Sequence, residues 1–183
     1  MKRALARQTF LEVTTLEGEI EQLHPASYSW ALACCRFRRQ EAEDVLQSAY
    51  LKILDGRARY DGRSSVRTWL FGVIRKTALD ARRRRWLEVL GLGQWNHVNG
   101  VPVLEVVPEA VEAVADRQRR GRVLQALAEL PRRQREVLDL VFYHGMTIAE
   151  AAEVLGVSLG AARVHYERGK RRLGREFVAE DCS

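Results

Sequence analysis

The stretch from Thr147 to Leu173 constrains the fold of this chain more than any other. Thr147-Ile148-Ala149-Glu150 reads as a capping box, in which the Thr hydroxyl and the Glu carboxylate each satisfy a free backbone donor at a helix start. The helix it opens runs through Ala151, Ala152 and Leu155 to Gly156, which can take the left-handed conformation that turns the chain. Ser158 then caps a further helix. A helix, a short glycine turn and a second helix form the arrangement that lays the second helix in a DNA major groove.

On that second helix Ala162, Tyr166, Gly169 and Leu173 recur at helical spacing and are expected to pack inward. Gly160, Ala161, Arg163, Val164 and Glu167 are left facing outward, as candidate readers of base edges. Arg168, Lys170, Arg171, Arg172 and Arg175 lie further along, where point charges suit phosphates. The competing reading is a purely structural helical hairpin, but cap, turn, inner stripe and basic outer face all point the same way.

Helical spacing of apolar residues also dominates the rest of the chain, so the expected class is all-α. A first helix is expected over Ser27–Arg39 and a second over Glu41–Leu54, the latter burying Ala42, Val45, Leu46, Ala49 and Ile53 and stopping at Gly56. Ser64 or Ser65 can cap a long helix with Val66, Leu70, Val73, Thr77 and Ala81 inside, ending in the run Arg82 to Arg85. Between Leu90 and Ala115 glycines, prolines and asparagines break the pattern, which reads as a linker. Pro131 fits the first position of a later helix carrying Val137, Leu138, Val141 and Phe142. The expected division is a domain at 1–89, a linker at 90–115 and a four-helix domain at 116–183.

With 46% hydrophobic residues over 183, the chain can build cores in two small domains. Its 30 Lys and Arg against 24 Asp and Glu leave a formal charge of +6, which favours a polyanionic partner. That charge is concentrated at Arg75-Lys76 with Arg82 to Arg85, and again from Arg163 to Arg175, as two separate anion-binding faces or two solvated helix surfaces. Cys34, Cys35 and Cys182 show no metal-ligand spacing and read as reduced, inert thiols of a cytoplasmic protein. The four histidines, His24, His97, His144 and His165, are scattered, so no metal or other cofactor is expected. No apolar run is long enough to span a bilayer, and MKRALARQTFLEV lacks a signal-peptide core, so neither membrane insertion nor export is indicated.

The segment LQALAELPRRQREVLDLVFYHGMTIAEAAEVLGVSLGAARVHYERGKRRL resembles the promoter −35-reading domain of extracytoplasmic-function sigma factors of the sigma-70 family. AEDVLQSAYLKIL resembles the same family's helix that docks on RNA polymerase, and SSVRTWLFGVIRKTALDARRRR its helix that opens and reads the −10 element. The resemblance implies a transcription initiation factor, nucleoid-associated in the cytoplasm. Its implied partners are core RNA polymerase, through the beta-prime and beta subunits, promoter DNA and an anti-sigma factor. It assigns Glu43, Asp44 and Gln47 to polymerase docking, and Tyr60, Arg63, Ser64, Arg67, Arg75, Lys76 and Arg83 to −10 DNA. To −35 DNA it assigns Ser158, Gly160, Ala161, Arg163, Val164, Glu167, Arg168, Arg171 and Arg172. Arg67, Arg75, Lys76 and Arg83 are expected on an outer face, and Trp69 either in the core or against a base. The sequence departs from the family at Lys76, where Asn is usual, at His165, where a base is frequent, and at Gly169, where Ala is frequent.

Two other classes compete. A stand-alone helix-turn-helix regulator would use the N-terminal helices for sensing or dimerisation. An enzyme acting on DNA needs a nucleophile beside activating groups or clustered carboxylates, and the acids here are dispersed, so no catalytic residue and no small-molecule substrate is expected.

Overall fold

The computed structural model describes residues 16–90 and 125–180, with side chains described as far as Arg175. The linker beyond Leu90, the helix start near Asp116 and Cys182 lie outside the described residues. The elements are α1 (His24–Cys34), α2 (Arg39–Leu54) and α3 (Val66–Val89), then α4 (Arg132–Leu138), a π-helical segment (Asp139–Tyr143), α5 (Ile148–Leu155) and α6 (Leu159–Glu180). Residues 16–22 and 125–129 are also helical. The class is all-α, as the spacing predicts, and no strand occurs among the described residues.

Local chemistry accounts for most of the boundaries. Ser65 caps α3 by accepting from the Thr68 amide at 3.1 Å, and its backbone is extended, as an N-cap requires. Thr147 and Glu150 form the reciprocal box at the start of α5: the Glu150 amide donates to Thr147 Oγ1 at 3.2 Å, and the Thr147 amide to Glu150 Oε2 at 2.8 Å. The Thr147 amide and hydroxyl, both donating to its charged form, hold the Glu150 carboxyl below the usual range. Gly156, at φ 58°, closes α5 in the left-handed conformation.

Three boundaries differ from expectation. α1 starts earlier, with Pro25 inside its first turn, and stops at Cys34 instead of Arg39. Arg36 and Phe37 both adopt positive φ, 55° and 61°, so that the Phe37 amide reaches Leu32 O at 2.7 Å and folds α2 back on α1. Left-handed backbone at two non-glycine residues costs roughly 1–2 kcal/mol each, which tertiary packing must offset. α3 runs on past the arginine block to Val89.

The N-terminal helices pack on one another, and the C-terminal helices do likewise. One apolar core continues from Trp30, Leu46, Leu70, Phe71 and Ile74 into Val137, Leu138, Leu140 and Leu155. α3 is therefore buried on two sides. Beyond the expected stripe Phe71, Ile74 and Ala78 are buried too, and the Phe71 ring meets both Trp30 of α1 and His144 of the C-terminal half.

Gly169 sets the closest approach of α6 to α4. A Cβ there would lie 2.8 Å from Leu138 Cδ1 and 3.3 Å from Gln134 Cβ, whereas one at Gly174 meets nothing within 4 Å. The penalty expected from glycine in a helix thus permits tight packing. Replacing Gly174 with alanine should stabilise the protein by about 0.5–1 kcal/mol through helix propensity, while Gly169→Ala should lose stability because α4 must shift. Thermal melts of the two variants check this; equal gains would contradict the packing role.

Candidate nucleic-acid interface

α6 presents two faces. Ala162 and Gly169 are buried and Tyr166 and Leu173 half-buried, which is the inner stripe read from the sequence. Ser158, Gly160, Arg163, Val164, Glu167, Arg168, Arg171 and Arg172 are exposed, and Ala161 is half-buried. Ser158 Oγ accepts from the Ala161 amide at 3.2 Å, so its hydroxyl also serves the helix start. Arg168, Arg171, Arg172 and Arg175 line a shallow recess of about 230 Å³ with Gln134. Four guanidinium groups with no carboxylate among the lining residues suit a phosphate backbone.

A second cationic surface lies in the N-terminal half. The loop after α2 and the outer side of α3 enclose an open cleft of about 520 Å³, lined by Lys52, Arg57, Arg59, Ser64, Trp69 and Lys76 among others. Tyr60 donates from its hydroxyl to Ser64 O at 2.5 Å, and its ring stands 5.3 Å from that of Trp69. Trp69 is half-buried: it packs against the core and also lines the cleft. Lys52 is held by Thr77 Oγ1 at 3.1 Å and Asp80 Oδ2 at 3.2 Å. Lys76 is exposed at the rim, Arg63 points to solvent beside Asp61, and Arg83 is exposed further along α3.

The expectation that Arg67 and Arg75 lie on an outer face is corrected. Arg75 is buried, and its Nε donates to Glu136 Oε2 of α4 at 3.0 Å. Arg67 is half-buried and donates to the backbone carbonyl of His144. Both face the C-terminal half because α5 packs along that side of α3, with Glu136 of α4 and the His144 carbonyl meeting the two guanidinium groups. Spacing alone placed these cations opposite the Val66/Leu70 stripe without showing that the opposite side is covered too.

On α2, Glu43, Asp44 and Gln47 are exposed, and Glu43 accepts from Arg39 Nε at 3.2 Å. The same helix leaves Leu51 49% and Leu54 73% exposed. Asp44, Gln47, Leu51 and Leu54 follow one another at steps of three and four, so they share a face. That mixed polar and apolar stripe was overlooked in the sequence, although its spacing was legible there.

Of the two described cysteines, Cys35 is buried and Cys34 half-buried. Burial, with Glu41 adding to it, pushes the Cys35 thiol up to about 12, and burial beside Glu136 raises that of Cys34 well above its usual value. At pH 8 only roughly one Cys35 in ten thousand is thiolate. Iodoacetamide followed by peptide mass mapping should leave Cys35 unmodified in the folded protein and label it in urea. Equal labelling rates would show a reactive thiol.

Among the described residues no helix is long and apolar enough to cross a membrane, and no group of His, Cys, Asp and Glu is placed to hold a metal ion.

Residues 20–88 match the family described as sigma-70 region 2, and residues 120–173 that described as sigma-70 region 4. The chain is 30% identical over 142 residues to the RNA polymerase sigma factor CarQ of Myxococcus xanthus, covering 76% of this chain and 75% of the relative. It is 32% identical over 137 residues to the ECF sigma factor SigL of Mycobacterium tuberculosis, covering 73% of each. The fold is similar to that of Bartonella quintana RpoE, solved with the anti-sigma factor NepR, at a TM-score of 0.66 and 22% identity over 87% of this chain and 94% of that one.

Proposed function

Because the chain belongs to the extracytoplasmic-function branch of the sigma-70 family, we propose that it binds core RNA polymerase and directs it to promoters by reading a −35 element and opening a −10 element. One observation carries this reading: a single chain holds an outward helix-turn-helix and, on a different helical half, a cationic cleft with an aromatic wall. Duplex readout needs the first, and unstacked bases need the second.

In this reading Arg163, Val164 and the backbone-exposing Gly160, with Ser158, Ala161 and Glu167, meet −35 base edges. Arg168, Arg171 and Arg172 hold phosphates. Tyr60, Arg63, Ser64 and Lys76 flank the cleft that receives a −10 base, with Arg67, Arg75 and Arg83 along the strand. Glu43, Asp44 and Gln47 dock on the beta-prime subunit, with Leu51 and Leu54 continuing the contact, while the C-terminal half meets beta. The chemistry of RNA synthesis stays with the polymerase, and the protein has no catalytic group of its own. Its place is the cytoplasm, on the nucleoid. The solved relative bound to an anti-sigma factor supports an inhibitory partner of the same kind here.

Run-off transcription with purified core polymerase tests the proposal. Wild type should yield a promoter-specific transcript, and Asp44→Arg should lose it through failed docking. Arg163→Ala should change −35 preference at a cost of about 1–3 kcal/mol, whereas Arg172→Ala should weaken all sequences alike and lower the salt slope by about one. Tight duplex binding by the free protein with no specific transcript would instead support a stand-alone regulator.

A further inference from the structure

Where α1 turns into α2, beside the later part of α3 and the start of α4, the surface folds into a recess of about 100 Å³. Arg36 and Arg38 reach it from the turn, Arg75, Arg82 and Arg85 from α3, and Arg132 from α4. The acids in its lining are Glu41 and Glu136, so six guanidinium groups surround two carboxylates, an excess of four positive charges. Cations gathered in a partly enclosed space focus a field that draws anions.

Each carboxylate is already shared by two arginines. Glu41 takes Arg38 and Arg85, and Glu136 takes Arg75 Nε at 3.0 Å and Arg132 at 3.6 Å. Neither acid uses Arg36 or Arg82, which are exposed at the mouth of the recess. Deeper in, Arg75 is only 6% exposed, and its Nη2 has no hydrogen-bond partner among the described residues. A guanidinium N–H withdrawn from water without an acceptor is where an incoming oxyanion gains most. Burial first, and after it the charges of Arg36 and Arg82, push the Arg135 guanidinium of α4 below its ordinary value, so the same field reaches into the protein.

Guanidinium forks meet phosphate oxygens two N–H groups at a time. A phosphate group carries up to about two negative charges near neutral pH, so an excess of four matches roughly two of them. The recess has room for several water molecules, which is the scale of a diphosphate. Unlike the Trp69 cleft, it has no aromatic side chain in its lining on which a base could stack. We propose that this recess is a binding site for a small diphosphate-bearing ligand, held by Arg36 and Arg82 at the mouth and by Arg75 at the base. The site goes beyond the promoter-directing role and does not require it, since Arg36 and Arg82 lie outside the surfaces assigned to DNA.

Isothermal titration calorimetry of the full chain with sodium pyrophosphate, at constant ionic strength, tests the site. Wild type should bind with a saturable heat. Arg36→Gln and Arg82→Gln should each weaken binding at least about fivefold, because each removes a charged donor. Arg84→Gln makes the same charge change at an exposed arginine outside the recess and should alter affinity less than about twofold. Saturating pyrophosphate should also raise the melting temperature of wild type and Arg84→Gln more than that of the two recess variants.

No saturable heat overturns the proposal. Binding that Arg36→Gln and Arg82→Gln leave unchanged also overturns it, because the anion is then held elsewhere, as along α6. A second arm measures anisotropy with a fluorescein-labelled DNA duplex of random sequence. The recess variants should bind it within about twofold of wild type. A loss as large as that for pyrophosphate would assign the recess to the nucleic-acid backbone and overturn the small-ligand site.

Discussion

The buried pair of Arg75 and Glu136 is the contact on which the arrangement of this molecule depends. It joins the middle of α3 to the middle of α4 across a seam where neither group has ready access to water. Burial of two charges brings little net stability, because desolvation offsets most of the attraction, but removal of one partner alone costs about 3–5 kcal/mol. Such a pair acts chiefly to fix which surfaces meet. Around it Arg135 spans the seam by backbone carbonyls, and Trp30, Phe71 and His144 fill the space beside it.

With that seam in place, the two cationic features proposed to face DNA lie on separate helices that own different chemistry. α6 offers small and charged side chains near its start and guanidinium groups further on, and Gly169 lets its inner side sit against α4. The cleft beside α3 offers an indole together with lysine and arginine side chains. Each would be a modest reader alone. Joined in one chain they multiply, since the second contact becomes intramolecular once the first is made.

Much of this was legible in the sequence because it is decided locally. The capping box at Thr147 and Glu150, the Ser65 cap, the left-handed Gly156 and the inner stripe of α6 each depend on residues within a few positions of one another. What spacing could not show depends on distant partners. Phe71 looks like the flank of an amphipathic helix until His144 of the second half stands against its ring, and Arg75 looks like a solvated cation until Glu136, 61 residues away, is placed beside it. The early end of α1 has the same character: nothing local forces Arg36 and Phe37 into left-handed backbone, and the packing of α2 on α1 does.

The coupling between Arg75 and Glu136 is the most direct measure of whether the halves are held as described. A double-mutant cycle with Arg75→Met, Glu136→Gln and both together, followed by urea unfolding of the full chain, isolates it. The expected result is an interaction free energy of at least about 1 kcal/mol, the double variant losing less stability than the two single variants' losses added together. Additivity within about 0.5 kcal/mol would contradict the buried pair and with it the closed seam.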